Sequence, residues 1–100
     1  MGISTWPEFD SEQINAVTNV LQSGKVNSWA GEETKLFQKE FASWCGTSYA
    51  IALSNGSVAL SLAYEAIGLG SGDEVITTPR TYVATSSCAA LLGAKPIFAD

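Results

Sequence analysis

The chain has 100 residues, a net charge of -5, and 46% hydrophobic against 15% charged residues. This length allows at most one domain, and the balance is typical of a folded chain rather than a disordered one. Five basic residues are scattered among ten acidic ones and form no basic stripe, so binding to nucleic acid is not expected.

The chain begins with a short lead-in and a predicted helix. Residues 1–6 lack the basic and apolar segments of a secretory signal, so a cytoplasmic location is predicted. Asp10 and Gln13 have the spacing of a capping pair, and apolar residues then recur at helical spacing until Gly24. This pattern predicts a first helix over residues 11–22.

A loop over residues 25–31 leads to a second predicted helix. Apolar side chains, including Phe37, Phe41 and Trp44, fall on one face of this segment, and charged side chains fall on the others. Gly46 is expected to end the helix. We interpret residues 1–46 as an N-terminal helical segment with a loop.

Beyond residue 46, short apolar runs alternate with helical segments. The resulting β-α-β-α-β series predicts strands at 49–53, 74–78 and 96–99 and helices at 57–67 and 82–92. Near-continuous apolar strands favour an α/β fold with a parallel sheet covered on both faces. Three strands cannot supply that cover, so residues 47–100 are expected to be the incomplete start of a larger α/β domain.

The uncharged stretch at residues 41–64 bears on membrane insertion, and the two cysteines bear on metal binding. Gly and Ser interrupt the uncharged stretch, which indicates buried core rather than a membrane span. Cys45 and Cys88 lack metal-ligand spacing, and the chain has no His. No metal site is therefore predicted, and both thiols are interpreted as buried structural groups.

The turn at residues 54–57 joins the first predicted strand to the next helix. The start of a helix presents unpaired N–H groups and the positive end of the helix dipole. The N–H groups of Gly56, Ser57 and Val58, with the Ser57 hydroxyl, are thus a candidate phosphate site. A plain turn with a Ser or Asn N-cap explains the pattern equally well.

The segment 77–85 follows the next predicted strand. Open α/β sheets bind ligands beyond the carboxyl ends of their strands, so this segment and the 54–57 turn should face one crevice. Tyr82 would stack on a flat ring there, or be an ordinary half-buried aromatic. Arg80 would bind an anionic group, or lie in solvent.

Several short motifs follow one another in a fixed order along nearly the whole chain. They are Ser23-Gly24-Lys25-Val26-Asn27, Phe37-x-x-x-Phe41-Ala42, the run 50–60, Gly68-Leu69-Gly70-x-Gly72-Asp73, Thr81-Tyr82-Val83-Ala84-Thr85 and Gly93-Ala94-Lys95-Pro96. Together they resemble the N-terminal part of the DegT-type (DegT/StrS) sugar aminotransferases, pyridoxal-phosphate enzymes of the aspartate aminotransferase fold. The resemblance implies a three-layer α/β/α fold of type I, here truncated after the third strand.

The resemblance also implies an activity, a cofactor and site residues. The family moves an amino group, commonly from glutamate, to a keto group on a nucleotide-linked sugar in polysaccharide or related biosynthesis, as a cytoplasmic homodimer. Gly56 and Ser57 would hold the phosphate of pyridoxal phosphate, and Tyr82 would stack on its ring. Trp29 would be a substrate-side wall or a packed loop anchor, and Arg80 a substrate-phosphate contact or part of a surface pair.

No catalytic residue is predicted within these 100 residues. In the family, the lysine that binds the cofactor covalently and the acidic partner of its pyridine nitrogen lie beyond the matched region, so the chain alone is expected to be inactive. Its own lysines and Asp100 are assigned solvated or structural roles. Two alternatives stay open: a pyridoxal-phosphate-dependent sugar dehydratase of the same fold, and a non-catalytic phosphate-binding α/β module.

Overall fold

The computed structural model describes residues 6–100, and residues 1–5, which carry most of the argument against a secretory signal, lie outside the described part. The chain separates into two compact units between Ala52 and Leu53. The predicted division at residue 46 stays a prediction about domains. The elements are α1 (Ser11–Ser23) and α2 (Glu33–Cys45) in the first unit, and α3 (Gly56–Ala66), β1 (Glu74–Thr77), α4 (Ala84–Leu91) and β2 (Lys95–Phe98) in the second.

Reciprocal hydrogen bonds at its first turn define the start of α1. Asp10 Oδ1 accepts from the Gln13 N–H at 2.8 Å, and Gln13 Oε1 accepts from the Asp10 N–H at 3.0 Å. The helix ends at Gly24, which has a φ of 68° that favours glycine. The capping box predicted from the sequence is confirmed, and the helix is one residue longer than expected.

Three neighbouring aromatic rings run along α2, the first pair stacked and the second pair tilted. The rings of Phe37 and Phe41 are 5.5 Å apart between centroids, and those of Phe41 and Trp44 are 5.7 Å apart. These side chains stay exposed, and Ala42 is the buried residue of the helix. The helix ends at Gly46, as predicted, where the Gly46 N–H donates to the last-turn carbonyls.

The predicted strand at residues 49–53 is wrong. A strand needs a neighbouring strand to accept and donate its backbone hydrogen bonds, and no segment within residues 6–100 pairs with this one. The Ala52 N–H instead donates to the side-chain Oε1 of Gln38 at 2.9 Å. The described sheet therefore has two strands, not the three that were expected.

The two strands β1 and β2 are parallel, as predicted, with Val75 opposite Pro96 and Ile76 opposite Ile97. Helix α4 packs on both strands, and α3 packs on α4. The core of this unit consists of small buried side chains: Ala84, Cys88, Ala89 and Ala94.

Cover on both faces of the sheet is not found in the described part of the chain. Along β1, Val75 and Thr77 are half-buried, whereas Glu74 and Ile76 are exposed. Successive side chains of a strand point to opposite faces, so this alternation means that one face is packed and the other is open. No helix other than α4 contacts these strands within residues 6–100.

The cysteines occupy different environments. Cys88 is buried in α4, as predicted, but Cys45 is exposed, because it is the last residue of α2 and that end of the helix is not covered. Within residues 6–100, no three metal-ligating side chains come together. None of the described helices has the length and apolar content needed to cross a membrane.

Candidate functional site

Asn55 controls how the N–H groups at the start of α3 are used. Asn55 is the N-cap, and its Oδ1 accepts from the Val58 N–H at 3.0 Å. The expectation that the Val58 N–H is free is therefore wrong, because the cap satisfies it. Among the described residues, the N–H groups of Gly56 and Ser57 have no acceptor and remain available.

Gly56 and Ser57 form the first turn of α3, and this turn is open. A Cβ built on Gly56 would meet no atom within 4 Å. Ser57 is half-buried, and its hydroxyl makes no hydrogen bond to the rest of residues 6–100. Two N–H groups and one hydroxyl can thus donate to a single ligand at the positive end of the helix.

Tyr82 stands two residues before α4, rather than at its first residue as predicted. The turn before it is held by the Arg80 N–H, which donates to Thr78 Oγ1 at 3.2 Å. The Thr85 N–H donates to the Tyr82 carbonyl at 3.0 Å, so the chain winds tightly before the regular helix begins at Ala84. The Tyr82 side chain is 73% exposed.

The structure brings Gly56, Ser57 and Tyr82 together around one depression of about 730 Å³ in the second unit. None of the residues that line it is charged, so no carboxylate repels an anion there and no ammonium group attracts one. The lining comes from the starts of two helices: residues 55–58 with Leu60 on the α3 side, and Tyr82, Ala84 and Thr85 on the α4 side.

Thr85 is a lining residue that the sequence analysis did not single out. Its hydroxyl lies 3.1 Å from the hydroxyl of Thr81, one helical turn earlier. The four-residue spacing of the two threonines was a usable signal, because residues four apart meet on one side of a helical turn. The α4 side of the depression therefore contributes a threonine whose hydroxyl is paired with that of Thr81.

Two side-chain contacts join the walls of the depression. The Tyr64 hydroxyl, on α3, donates to the Thr85 carbonyl at 3.3 Å. The Cys88 thiol, on α4, donates to the Ser57 carbonyl at 3.5 Å. Each contact thus ends on the backbone of a residue that lines the depression.

The remaining two predicted site residues lie elsewhere. Arg80 is exposed, does not line the depression, and forms no ion pair within the described part of the chain. Trp29 belongs to the first unit and is 95% exposed there, so no described residue packs around it as the loop-anchor alternative required. The backbone N–H of Trp29 donates to Asn27 Oδ1 at 3.0 Å.

The depression is chemically suited to holding an anion next to a flat ring. A phosphate would gain about 0.3–2 kcal/mol from the helix end and about 1.5–3 kcal/mol from each charge-assisted hydrogen bond. Tyr82 offers an accessible aromatic face beside that position. Donors and one ring, without a lining acid or imidazole, support binding rather than proton transfer.

A sequence model of the DegT/DnrJ/EryC1/StrS aminotransferase family matches residues 7–100. The chain is 42% identical over 94 residues to the spore coat polysaccharide biosynthesis protein SpsC of Bacillus subtilis (strain 168). That alignment covers 94% of this chain and 24% of SpsC. The chain therefore spans about a quarter of the length of its curated relative.

Solved structures confirm the fold class. The aminotransferase from Psychrobacter cryohalolentis superposes with a TM-score of 0.91 at 46% identity, covering 99% of this chain and 25% of that one. Spr1654 from Streptococcus pneumoniae, solved in a PLP form, has a TM-score of 0.83 at 30% identity, covering 94% of this chain and 24% of its own. The α/β arrangement is that of the N-terminal part of these aminotransferases.

Proposed function

The chain belongs to the DegT/DnrJ/EryC1/StrS aminotransferase family, and we propose that it is the N-terminal portion of a pyridoxal-phosphate-dependent aminotransferase. The whole protein would transfer an amino group from glutamate to a keto group on a nucleotide-linked sugar. The observation that carries this proposal is the convergence of Gly56, Ser57 and Tyr82 on one uncharged depression in a chain of this family.

The cofactor proposal depends on how well these residues match its two ends. The N–H groups of Gly56 and Ser57 and the Ser57 hydroxyl have no described acceptor, so they can all donate to the phosphate. Tyr82 has an exposed ring on the same depression, where it can cover one face of the pyridine. When bound, pyridoxal phosphate supplies an electron sink for amino-group transfer.

The chain's own contribution to the reaction is orientation. Holding the phosphate at the helix start fixes one end of the cofactor, and the ring of Tyr82 restricts its tilt. The absence of charge among the lining residues keeps the donors from being neutralised by a nearby carboxylate. In this proposal the groups that move protons come from the rest of the protein.

The proposal extends to the substrate, the assembly and the location. The name of SpsC, a spore coat polysaccharide biosynthesis protein, favours a sugar substrate for this chain as well. Exposed Trp29 and Arg80 are available for the substrate side, since neither is occupied by described neighbours. We extend the proposal to a cytoplasmic homodimer, as the family resemblance implies.

Substitution of Ser57 in the complete protein tests the phosphate site. Ser57→Ala removes one donor and should weaken pyridoxal-phosphate binding by about 10- to 100-fold. Ser57→Asp should weaken it further, because a carboxylate would repel the phosphate. Equilibrium dialysis of the cofactor against the apo-protein measures both.

The stability of the apo-protein separates a binding effect from unfolding. An Asp in the first turn of α3 interacts favourably with the helix dipole, so Ser57→Asp should not lower the thermal midpoint without cofactor. Ser71→Asp is the matched control, because it adds the same charge in an exposed turn of the same unit. Cofactor affinity that is equal in the wild type and both Ser57 variants would refute the site.

A further inference from the structure

The depression between α3 and α4 is spanned by two hydrogen bonds of opposite direction. Tyr64 of α3 donates to the Thr85 carbonyl of α4, and Cys88 of α4 donates to the Ser57 carbonyl of α3. Within residues 6–100 these are the side-chain hydrogen bonds that join the two helices. The Tyr64 bond ties the Thr85 backbone, on the α4 side of the depression, to α3. The Cys88 bond ties the Ser57 backbone, on the α3 side, to α4.

Helix periodicity explains why these four residues meet. Ser57 and Tyr64 are seven residues apart on α3, and Thr85 and Cys88 are three apart on α4, so each pair lies on one face of its helix. Both faces are turned inward: Ser57, Tyr64 and Thr85 are half-buried, and Cys88 is buried. The Cys88 donor is therefore shielded from water and the Tyr64 donor is partly shielded, and neither residue lines the depression.

We propose that Tyr64 and Cys88 are positioning residues. They set the distance between the start of α3, which would hold the cofactor phosphate, and the start of α4. The inference rests on the proposed function, in which the Gly56 and Ser57 donors hold that phosphate. A hydrogen bond weakens steeply once the donor leaves its preferred distance and angle. Loss of either interhelical contact would let Ser57 and the Tyr82 ring drift apart, so pyridoxal phosphate, which would be held at both, should lose affinity. Pyridoxal, which would be held at the ring alone, should not.

The experiment compares pyridoxal phosphate with pyridoxal, which has the same ring but no phosphate. Both are titrated by equilibrium dialysis against the complete apo-protein, as wild type, Tyr64→Phe and Cys88→Ala. Each substitution removes one donor and keeps most of the side-chain packing. The preference for the phosphorylated form over pyridoxal should fall about 2- to 10-fold in each variant, with pyridoxal affinity unchanged.

Conservative and matched variants sharpen the test. Cys88→Ser keeps a donor at the same position and should retain the wild-type preference. Tyr49→Phe and Cys45→Ala remove the same groups at exposed positions of the first unit and should change nothing. Thermal unfolding of each apo-protein shows that the variants are folded.

The outcomes separate this inference from the proposed function. An equal loss of affinity for both ligands would mean that Tyr64 and Cys88 only support general packing, and would overturn the positioning role. An unchanged preference in both variants would overturn it as well, while the wild-type preference still supported a phosphate site. A wild type that binds both ligands equally would overturn the proposed function, and the positioning role would fall with it.

Discussion

The two units of this chain hold their helices in different ways. In the first unit, α1 and α2 contact no other element within the described residues; α1 lies between a capping box and Gly24, and α2 ends at Gly46. In the second unit, α4 packs against α3 and both strands, and three of the small residues of α4 are buried. Local sequence signals define the first unit, whereas contacts between distant residues define the second.

This difference shows where the candidate site gets its precision. The depression lies in the unit where packing between elements fixes the geometry, and its walls are joined by contacts between residues 21 and 31 positions apart. Among the hydrogen bonds of the first unit that involve a side chain, the one with the longest sequence separation joins Gln38 and Ala52, 14 positions apart. A site for a small rigid ligand needs packing between distant residues, because caps fix where a helix begins but not which element it faces.

The largest effect should come from overfilling the packed unit. Ala89 is 0% exposed in α4, and Ala89→Leu would add three carbons where no space exists. We expect a loss of about 3 kcal/mol, at the upper end for overpacked cores, measured as a lower unfolding midpoint of the purified protein. Ala90→Leu, on the exposed side of the same helix, is the control and should cost under about 0.5 kcal/mol. Similar losses in both would contradict the packing assigned to α4.

Gly31 is the position where the first unit is also tightly packed. A Cβ on Gly31 would lie 2.5 Å from the Lys25 carbonyl oxygen and 3.0 Å from that of Asn27. Gly31→Ala should therefore cost about 1–2 kcal/mol and displace the loop that carries Trp29. The unfolding midpoint measures the first effect, and tryptophan fluorescence, compared with that of a Trp29→Phe variant to isolate the Trp29 emission, measures the second. Gly56→Ala, where the added carbon meets nothing within 4 Å, is the matched control and should leave the midpoint unchanged or higher.

The contrast between the units explains which features could be predicted from the sequence. The bounds of α1 were predicted to within one residue and the end of α2 was predicted at Gly46, because Asp10, Gly24 and Gly46 are signals that act within one turn. The strand at 49–53 was predicted from the same kind of local pattern and is not formed, since a strand depends on a partner elsewhere in the chain. Apolar composition alone cannot supply that partner.

The candidate site divides in the same way. Gly56 and Ser57 could be selected because the start of a helix is recognisable in the sequence, and Tyr82 could be selected because it follows a correctly predicted strand, β1. The cap by Asn55 was one of two alternatives left open, because a free helix start and a capped one have the same residues at this turn. The interhelical contacts of Tyr64 and Cys88 depend on how α3 and α4 pack, which no single segment encodes.

Removing the cap of α1 should have a smaller effect than either crowding substitution. Asp10→Ala deletes the acceptor of the Gln13 N–H in the capping box and should cost about 1 kcal/mol. Helical content from circular dichroism and the unfolding midpoint check this. Asp10→Ser keeps an acceptor and should restore most of the loss. A cost above that of Gly31→Ala would mean that α1 is held by more than its own ends.

The smallest effect should come from the exposed ion pair between β1 and β2 in the second unit. Lys95 Nζ lies 3.4 Å from Glu74 Oε1, and the two side chains are 72% and 57% exposed. Solvent screens such a pair, so Glu74→Gln should change the free energy of unfolding by less than about 0.5 kcal/mol, and less still at high salt. A double-mutant cycle with Lys95→Met isolates the pair from other effects of either change. A coupling energy above about 1 kcal/mol would show that β1 and β2 depend on a charge contact as well as on their backbone ladder, and the second unit would then rely on an exposed pair as well as on buried packing.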